Sequence, residues 1–454
     1  MTIISILERF QIVMEIIGLL VAIVVGTLVA SVMACLPALH IYNVAGFALL
    51  FALPVIREGI ISSSILIAFM MSLIVAYSVL NTIPSIFLGA PDESAIFVTM
   101  PGTRALMQGK GFECAVLTAV GSLGGIAFLL IASFAFPYTL DPIRKIVQPY
   151  MHWVLGAILA FMIMSEWPKG ENREKTRLLR FLCAWKNVAA GLLTLILSGF
   201  LGFIVMYKPV MPLDVAFQNI MPTFVGLFAI PWVLQNIIST TEPPKQYICK
   251  SLDVNPRVFL RGVGAGCLGG LFAAVFPIVT GGIGGMLAGH ATAQRDERMF
   301  IVSQGASKIV YYVGGFLLLF LPGSSFTRGG MAYMLSGVYQ PMGYKDYYVA
   351  LAVIGLSGAL SFFTMIWGTK AIIALIQKIN YRLISMFTLI FITLMVIYMA
   401  GWPGIAVMLV STGIGMIPVF FHSRRMNCMG VLLIPVMLNM SGHGPIVARW
   451  LGLL

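Results

Sequence analysis

Membrane-length apolar stretches fill this chain, and a proline-centred interruption breaks them twice, once in each half. The first interrupted stretch covers 26–46 and continues through 82–111, and the second covers 262–289 and is followed by 321–330. The spacing from Pro37 to Pro84, 47 residues, nearly equals the 45 residues from Pro277 to Pro322. Such a repeated interval predicts that the two halves fold as related structural repeats with broken helices at corresponding positions.

The composition is that of a membrane protein. The chain has 454 residues, of which 59% are hydrophobic and 10% are charged, against about 25% charged residues in a soluble domain. Runs at 17–33, 61–79, 115–136, 188–206, 348–367, 383–400 and 404–421 approach the roughly 20 residues that cross a bilayer core. We predict an all-α polytopic membrane protein with two structural repeats and about ten to twelve transmembrane helices, including broken or re-entrant segments.

The net charge of +12 does not indicate nucleic-acid binding, because the basic residues lie in short loops between apolar runs. These basic residues are Lys169, Arg173, Lys175, Arg177, Arg180, Lys186, Lys245, Lys250, Arg257, Arg261, Lys370, Lys378, Arg382, Arg424 and Arg425. Since cytoplasmic loops of membrane proteins are rich in Lys and Arg, we assign these loops to the cytoplasm. One apolar segment follows Arg425, which predicts an extracytoplasmic C-terminus.

The polar stretches divide the chain into two membrane halves. We predict a first repeat half at 1–240, a cytoplasmic linker at 241–257 that contains Glu242-Pro243-Pro244, and a second repeat half at 258–454. No soluble domain is indicated. The glycines at 264–270 superficially match a dinucleotide fingerprint, but they lie inside an apolar segment with no strand before them, so they predict no nucleotide site.

The two interruptions supply groups that suit an anion. Proline removes a backbone donor and glycine loosens a helix, and a half-helix that starts after such a break presents free N–H groups and a partial positive charge. We predict an anion site built from Pro37, His40 and Asn43 in the first break and from Pro277, Thr280, Gly281, Gly282 and Gly284 in the second. An alternative is that the glycines let helices pack closely.

Ionisable residues lie in or near the same breaks. A charge inside a membrane segment costs about 2.5–3.5 kcal/mol on insertion scales and usually faces a cavity or a partner. We therefore predict that Arg104 and Arg328 hold the anion and that Asp92 and Glu93 bind Na⁺ or H⁺. The alternatives are that the acidic pair caps a helix and that Arg104 lies in a solvated tip. Glu113, His290 and Lys308 also lie in or near these regions.

Three segments carry a family resemblance. The run IPSIFLGAPDESAIFVTMPGTRALMQGKGFECAVLTAVGSLGG at 83–125 resembles the signature region of the large membrane subunit of tripartite tricarboxylate transporters, and 26–46 and 276–295 are similar to that family's two proline-glycine-rich loops. The GAPDE at 89–93 is similar to a divergent, stand-alone branch of predicted transporters. The resemblance implies a secondary carrier for organic anions that works with a small membrane subunit and an extracytoplasmic binding protein.

Together these features predict a multi-pass cell-membrane protein that transports an anionic, carboxylate-type metabolite with Na⁺ or H⁺ coupling. The alternative is a translocase for polyprenyl or other lipid phosphates, which would use the same glycine and proline loops. No HExxH or GxSxG motif and no paired Cys ligands occur, so we predict neither an enzyme nor a metal site, and no cofactor. The expected partners are the lipid bilayer and a small anion or lipid phosphate, and a homo-oligomer is left open.

Overall fold

Helices account for the regular structure of the chain. The computed structural model describes residues 3–36, 40–58, 62–90, 94–167, 176–208, 210, 220–239, 242–252, 254–276, 279–323, 327–336, 339–341 and 343–454. Within these ranges there is no β-strand. The predicted all-α polytopic class is therefore confirmed.

The helices follow one another with short connections. In the first 240 residues they are α1 (Ile3–Ala34), α2 (Ile41–Arg57), α3 (Ser63–Leu80), α4 (Thr82–Phe87), α5 (Ile96–Met107), α6 (Gly111–Ala132), α7 (Phe136–Val147), α8 (Met151–Met164), α9 (Arg177–Tyr207), α10 (Met221–Phe224) and α11 (Ile230–Ile238). The remainder forms α12 (Pro256–Val275), α13 (Gly281–Ala291), α14 (Glu297–Ile309), α15 (Gly315–Leu317), α16 (Gly330–Ser336), α17 (Tyr344–Lys378), α18 (Tyr381–Phe421), α19 (Gly430–Met440) and α20 (Gly444–Trp450). Two π-helical turns, Val225–Ala229 and Val310–Gly314, lie between α10 and α11 and between α14 and α15.

Nine helical stretches in the described part of the chain are long and apolar enough to cross a membrane, with a tenth if Arg425–Met440 and Gly444–Trp450, bent by 115°, form one span. The sequence predicted about ten to twelve, counting broken segments. The shorter helices α2, α5, α13 and α16 adjoin breaks, as broken or re-entrant segments do.

The chain divides into two compact units, each built from two separate stretches. Unit 1 consists of Met1–Pro142 and Thr241–Tyr381, and unit 2 consists of Ile143–Thr240 and Arg382–Leu454. Each unit therefore takes one stretch from either side of the predicted linker at 241–257.

Within unit 1 the same order of elements occurs twice. A long helix, α1 or α12, ends at a break; a shorter helix, α2 or α13, follows; and a buried helix, α3 or α14, leads to a second break and a short helix, α5 or α16. The first break lies between Ala34 and Ile41, and its counterpart lies between Val275 and Gly281. This repetition is the pattern that the proline spacing predicts.

The two copies run in opposite directions. Helices α3 and α14 occupy corresponding positions, and their side chains meet in antiparallel order, Asn81 against Lys308 and Tyr77 against Tyr312. Most of α3 is buried, as is the helix that continues from α14 through the π-helical turn to Phe320. Antiparallel pairing of equivalent central helices is the arrangement of an inverted repeat.

Helices α12 and α13 form an antiparallel hairpin in unit 1. A Cβ on Gly284 would collide with the carbonyl group of Gly269, so the two helices touch backbone to backbone. Near the open end of the hairpin, the Arg261 Nη2 donates to the carbonyl oxygen of Thr292 at 3.5 Å. Since α13 returns beside α12, both arms of the hairpin leave toward the same side.

Side-chain caps fix the ends of these helices. Asn255 accepts the Arg257 N–H at 2.9 Å just before Pro256, the first residue of α12. Asp296 accepts the Arg298 N–H at 2.7 Å and starts α14. Each cap satisfies one of the donors that a helix start leaves unpaired.

The predicted linker packs on unit 1. Gln246 Oε1 accepts the Gly111 N–H at 3.0 Å, and its Nε2 donates to the Leu106 carbonyl oxygen at 2.9 Å. The Tyr247 N–H donates to the carbonyl oxygen of Gly109, whose φ of +74° favours glycine. These bonds hold the linker against the turn between α5 and α6.

Unit 2 packs its helices around close glycine contacts. Gly202 of α9 lies against the Val431 carbonyl group of α19, and Gly226 lies against the Met408 carbonyl group of α18. Helix α18 is kinked at Gly401, where φ is +64° and ψ is −165°. The kink divides the 41-residue helix into two membrane-length parts.

Candidate functional site

Five residues from three separate parts of unit 1 meet inside it; we call them the junction: Asn81, Ser94, Gly281, Gly282 and Lys308. The Lys308 Nζ donates to Asn81 Oδ1 at 2.6 Å, and the Asn81 Nδ2 donates to Ser94 Oγ at 3.2 Å. Lys308 and Ser94 have no exposed surface, and Asn81 is 2% exposed. The junction thus links the end of α3 and the start of α5 from one repeat with α14 of the other.

The N-terminus of α13 belongs to the junction. Thr280 caps this helix: its hydroxyl accepts the Ile283 N–H at 3.4 Å, and its carbonyl oxygen accepts the Gly284 N–H at 2.9 Å. The N–H groups of Gly281 and Gly282 belong to the first turn and have no intrahelical acceptor. The end of α13 therefore brings donors and a partial positive charge into the buried region around Lys308.

Glycine is needed at both positions because other backbone approaches closely. A Cβ on Gly281 would lie 3.0 Å from the Lys308 Cα, and a Cβ on Gly282 would lie 2.7 Å from the Ser94 carbonyl oxygen. The Ser307 hydroxyl also donates to the Gly281 carbonyl oxygen at 2.6 Å. These contacts place the helix start directly against α14 and against the segment that leads into α5.

Lys308 lies beside an irregular turn of its helix. The π-helical turn Val310–Gly314 begins two residues after it, and π-bulges inside α-helices occur frequently at functional sites. A buried lysine is costly at membrane depth and usually serves a substrate, an ion or a partner. Lys308 is therefore the residue of unit 1 whose position most strongly indicates a binding role.

Aromatic rings surround His40 at the start of α2. Its Nδ1 accepts the Tyr42 N–H at 3.2 Å, so in the neutral ring Nε2 carries the proton and donates to the Tyr312 hydroxyl at 3.3 Å. The rings of Tyr77 and Tyr312 lie 6.0 Å apart. The predicted site residue His40 is therefore joined to the same turn of α14 that follows Lys308.

Arg328 lies at the tip of the α12–α13 hairpin. Its guanidinium donates to the carbonyl oxygens of Ala274 and Ala273, both at 3.1 Å, and to that of Phe276. Positive charge at the C-terminus of a helix satisfies its unpaired carbonyl groups and its dipole. The structure thus gives Arg328 a role in holding the end of α12 beside the break.

Arg104 and Gly284 are not in the junction. The Arg104 side chain is 64% exposed and pairs with Glu297 at 3.3 Å, which matches the solvated-tip alternative. Gly284 packs against Gly269 of α12, as the close-packing alternative expects. Of the predicted glycines, Gly281 and Gly282 are the two that face the junction.

Several predicted residues fall outside what the structure describes. Pro37, Pro277, Asp92 and Glu93 lie outside the described residues, as does the side chain of Asn43, whose backbone is in the first turn of α2. Their neighbours are described: Ser94 directly follows the acidic pair, and Thr280 follows Pro277 by three positions.

Sequence reasoning missed Asn81, Ser94 and Tyr312, and it noted Lys308 without including it in the site. The signal for Lys308 was present, because a lysine within SQGASKIVYYVGG interrupts an otherwise apolar run. Asn81 and Ser94 carry no such signal, since single polar uncharged residues are common in membrane helices.

No cluster of three or more His, Cys, Asp or Glu side chains that could hold a metal ion occurs within the described ranges. The junction offers one amine, one carboxamide, one hydroxyl and the backbone N–H groups of a helix start. This set of groups suits a carboxylate or a similar oxyanion.

A family model and an uncharacterized relative match this chain. The model of the tripartite tricarboxylate transporter TctA family matches residues 20–430. An uncharacterized protein of Methanocaldococcus jannaschii is 25% identical over 383 residues, which cover 82% of this chain and 88% of that protein. No solved structure matches the chain. Because the family model covers nearly the whole sequence, the chain belongs to the tripartite tricarboxylate transporter TctA family.

Proposed function

We propose that this multi-pass membrane protein is a secondary active carrier of an anionic organic metabolite and that it binds a carboxylate of that metabolite at the junction. The observation that carries the proposal is the fully buried Lys308 beside the N-terminus of α13. Family membership supports a function of the tricarboxylate-transporter type.

The junction explains how such a site would work. Asn81 Oδ1 holds the Lys308 amine at 2.6 Å, so an acceptor is already paired with the buried donor. A substrate carboxylate would compete with Asn81 for that amine while it also accepts the Gly281 and Gly282 N–H groups. A carboxylate brings a full negative charge to the amine, which the neutral carboxamide of Asn81 does not, so a carboxylate is the better partner.

Inverted repeats suggest the transport cycle. Carriers built in this way move one repeat or bundle against another around a site formed by broken helices. We propose that the predicted halves, 1–240 and 258–454, are these repeats, joined by the 241–257 linker, and that the C-terminus is extracytoplasmic.

Ion coupling is assigned to the acidic pair. Asp92 and Glu93 directly precede Ser94, a member of the junction. A fixed negative charge beside an anion site favours substrate binding only after the charge has been neutralised. We propose that uptake of Na⁺ or H⁺ by Asp92 or Glu93 supplies that neutralisation.

The family name suggests the partners. A tripartite transporter implies a small membrane subunit and an extracytoplasmic binding protein besides the large subunit, and we propose both as partners of this chain. The family also favours the metabolite carrier over the lipid-phosphate translocase, although both substrates present an oxyanion.

A ligand screen on the purified full chain tests the proposal. Melting temperature is measured with mono-, di- and tricarboxylates, inorganic phosphate and a polyprenyl phosphate, because a ligand that binds the folded state raises it. We expect at least one soluble carboxylate to raise the melting temperature, followed by gradient-driven uptake of that compound in vesicles. Stabilisation by the polyprenyl phosphate alone would overturn the carrier proposal, and so would the absence of stabilisation by every carboxylate.

A further inference from the structure

A second set of buried polar groups lies one turn along the α13–α14 interface from the junction. Gln304 has no exposed surface, and neither its Nε2 nor its Oε1 has a hydrogen-bond partner within the described structure. Its Nε2 lies 2.7 Å from the point where a Cβ on Gly285 would stand, so the amide packs against the backbone of α13. A buried carboxamide with both ends unpaired requires an explanation, because native proteins rarely leave such groups unsatisfied.

Polar groups continue from Gln304 in both directions. Toward the junction, Ser307 follows one turn later and donates to the Gly281 carbonyl oxygen, next to Lys308. Toward the surface, the buried Ser303 hydroxyl lies 3.2 Å from Gln294 Oε1. Gln294 is half-buried in the turn between α13 and α14, and its Nε2 is also buried without a partner in the described structure.

The energetic argument favours water along this series. Each unsatisfied buried polar group costs about 1–3 kcal/mol, whereas an apolar side chain at position 304 would carry no such cost. Internal waters usually make two to four hydrogen bonds to groups of this kind. Three buried atoms without a partner in the described structure, on Gln294 and Gln304, therefore indicate a hydrated path that also passes Ser303 and Ser307.

We propose that Gln294, Ser303, Gln304 and Ser307 line a narrow water-filled path from the α13–α14 turn to Lys308. The turn carries Arg295, Arg298 lies in the first turn of α14, and Arg261 reaches Thr292 beside them. Basic residues mark the cytoplasmic side, so the path opens to the cytoplasm. We further propose that substrate leaves its site through this path, and that part rests on the proposed function. The presence of water in the path does not depend on it.

Cysteine accessibility tests the path in the full chain with its six native cysteines replaced. Gln304→Cys and Ser303→Cys are compared with Val302→Cys and Ile309→Cys, which are fully buried on other faces of the same helix. The folded proteins are treated with 2-aminoethyl methanethiosulfonate, and the thiols that remain are counted after denaturation. The serine replacement is nearly isosteric, so it provides a folded variant if Gln304→Cys does not fold.

We expect the path-lining cysteines to react about tenfold faster or more than the two controls, which react only through local opening of the structure. Equal, slow reaction at all four positions would overturn the proposal and show that Gln304 is packed in a dry interface. The measurement needs no substrate. A negative result here therefore overturns the water-filled path alone, whereas the ligand screen tests the proposed function separately.

Discussion

Lys308 in unit 1 and Glu166 in unit 2 are both buried charged residues, yet their surroundings differ. Glu166 is 6% exposed, and its Oε1 accepts the Arg424 N–H at 2.8 Å and the Asn427 Nδ2–H at 2.7 Å. These two donors belong to the turn before α19, so the carboxylate ties that turn to the end of α8. Lys308 instead lies among helix breaks, beside N–H groups that have no intrahelical acceptor.

The difference teaches that burial of a charge does not by itself mark a binding site. A charge whose partners are backbone and side-chain groups of one rigid turn acts as a clamp. A charge that lies beside the start of a half-helix can exchange a carboxamide partner such as Asn81 for a ligand. The predictions below separate the two kinds of buried charge.

The largest effect is expected from Lys308→Met. Hydrogen bonds to charged groups contribute about 1.5–3 kcal/mol, so loss of the amine weakens binding of the carboxylate found in the ligand screen by about a hundredfold. The protein stays folded, because methionine fills a similar volume without a buried charge. Titration of the purified variant by calorimetry measures the affinity.

Lys345→Met is the matched control. Its side chain is 76% exposed and lies 3.9 Å from Glu15, so we expect wild-type affinity. Normal carboxylate binding by a folded Lys308→Met protein would show that Lys308, like Glu166, is a structural charge and not a substrate ligand.

Gly282→Val is expected to weaken carboxylate binding by about tenfold, a smaller loss than that expected from Lys308→Met. Its Cβ would meet the Ser94 carbonyl oxygen at 2.7 Å and the Phe97 ring at 2.9 Å, so the segment before α5 must move away from α13. Overpacking of this kind costs about 1–3 kcal/mol. The same titration measures the loss, and circular dichroism checks that the helices remain.

Gly264→Val is the control for added bulk, because a Cβ on Gly264 meets no atom within 4 Å. It should bind the carboxylate as the wild type does. If both variants bind equally well, Gly282 serves only the packing of α13.

Asp92→Asn and Glu93→Gln test the coupling assigned to the acidic pair. Asn caps a helix about as well as Asp, so the first change removes charge while it preserves a cap. We expect about a tenfold loss of gradient-driven accumulation in vesicles, since coupling depends on the charge. Substrate exchange without a gradient should persist.

Glu242→Gln removes an exposed acidic residue of the linker and should accumulate substrate normally. Unchanged Na⁺ and pH dependence in both Asp92→Asn and Glu93→Gln would make the pair structural and move the coupling site elsewhere.

The sequence was sufficient to predict the helical membrane fold and the interruptions within 26–46 and 262–289. The nearly equal spacing of four prolines agrees with the order of elements that occurs twice in unit 1, but Pro84 itself lies inside α4 and not in a break. The sequence predicted two consecutive halves but not that each compact unit combines stretches from both. That arrangement depends on packing between distant segments, which local patterns do not encode.

The site was predicted less completely, and the two arginines show why. Both directly follow a threonine in a segment that contains Pro and Gly, yet Arg104 is exposed beside Glu297 while Arg328 caps the end of α12. Which partner an ionisable side chain reaches depends on tertiary distance. Asn81 belongs to the site because the end of α3 packs against α14, where it meets Lys308.

Glu166→Gln gives a smaller effect that depends on pH. Burial raises the pKa of the Glu166 carboxyl above its ordinary 4.5, against the opposing hydrogen bonds from Arg424 and Asn427. A raised pKa means that folding favours the protonated form, so this stabilisation is present below about 4.5 and is lost as pH rises through the raised pKa. We expect the melting temperature of the wild type, relative to Glu166→Gln, to fall by a few degrees as pH increases from 4.5 to 8.

The Glu242→Gln protein again serves as the control, because the same change of Glu to Gln is made at an exposed position of the linker. A melting difference between wild type and Glu166→Gln that is constant across this range would show that the clamp does not titrate. Loss of carboxylate binding in a folded Glu166→Gln protein would show that Glu166, like Lys308, is needed for substrate binding and is not only structural.

The smallest effect is expected from Arg104→Gln, which tests whether an exposed charge contributes to the site. Exposed ion pairs contribute about 0–1 kcal/mol, so loss of the pair with Glu297 should leave melting nearly unchanged. Because the junction already supplies Lys308 and the start of α13, we expect carboxylate affinity within about twofold of wild type at 0.15 M salt, where an exposed charge is screened over about 8 Å. Glu297→Gln removes the other member of the pair and should behave in the same way. A tenfold loss of affinity in Arg104→Gln but not in Glu297→Gln would mean that the guanidinium contacts the substrate, so the site would extend from the buried junction to the exposed end of α5.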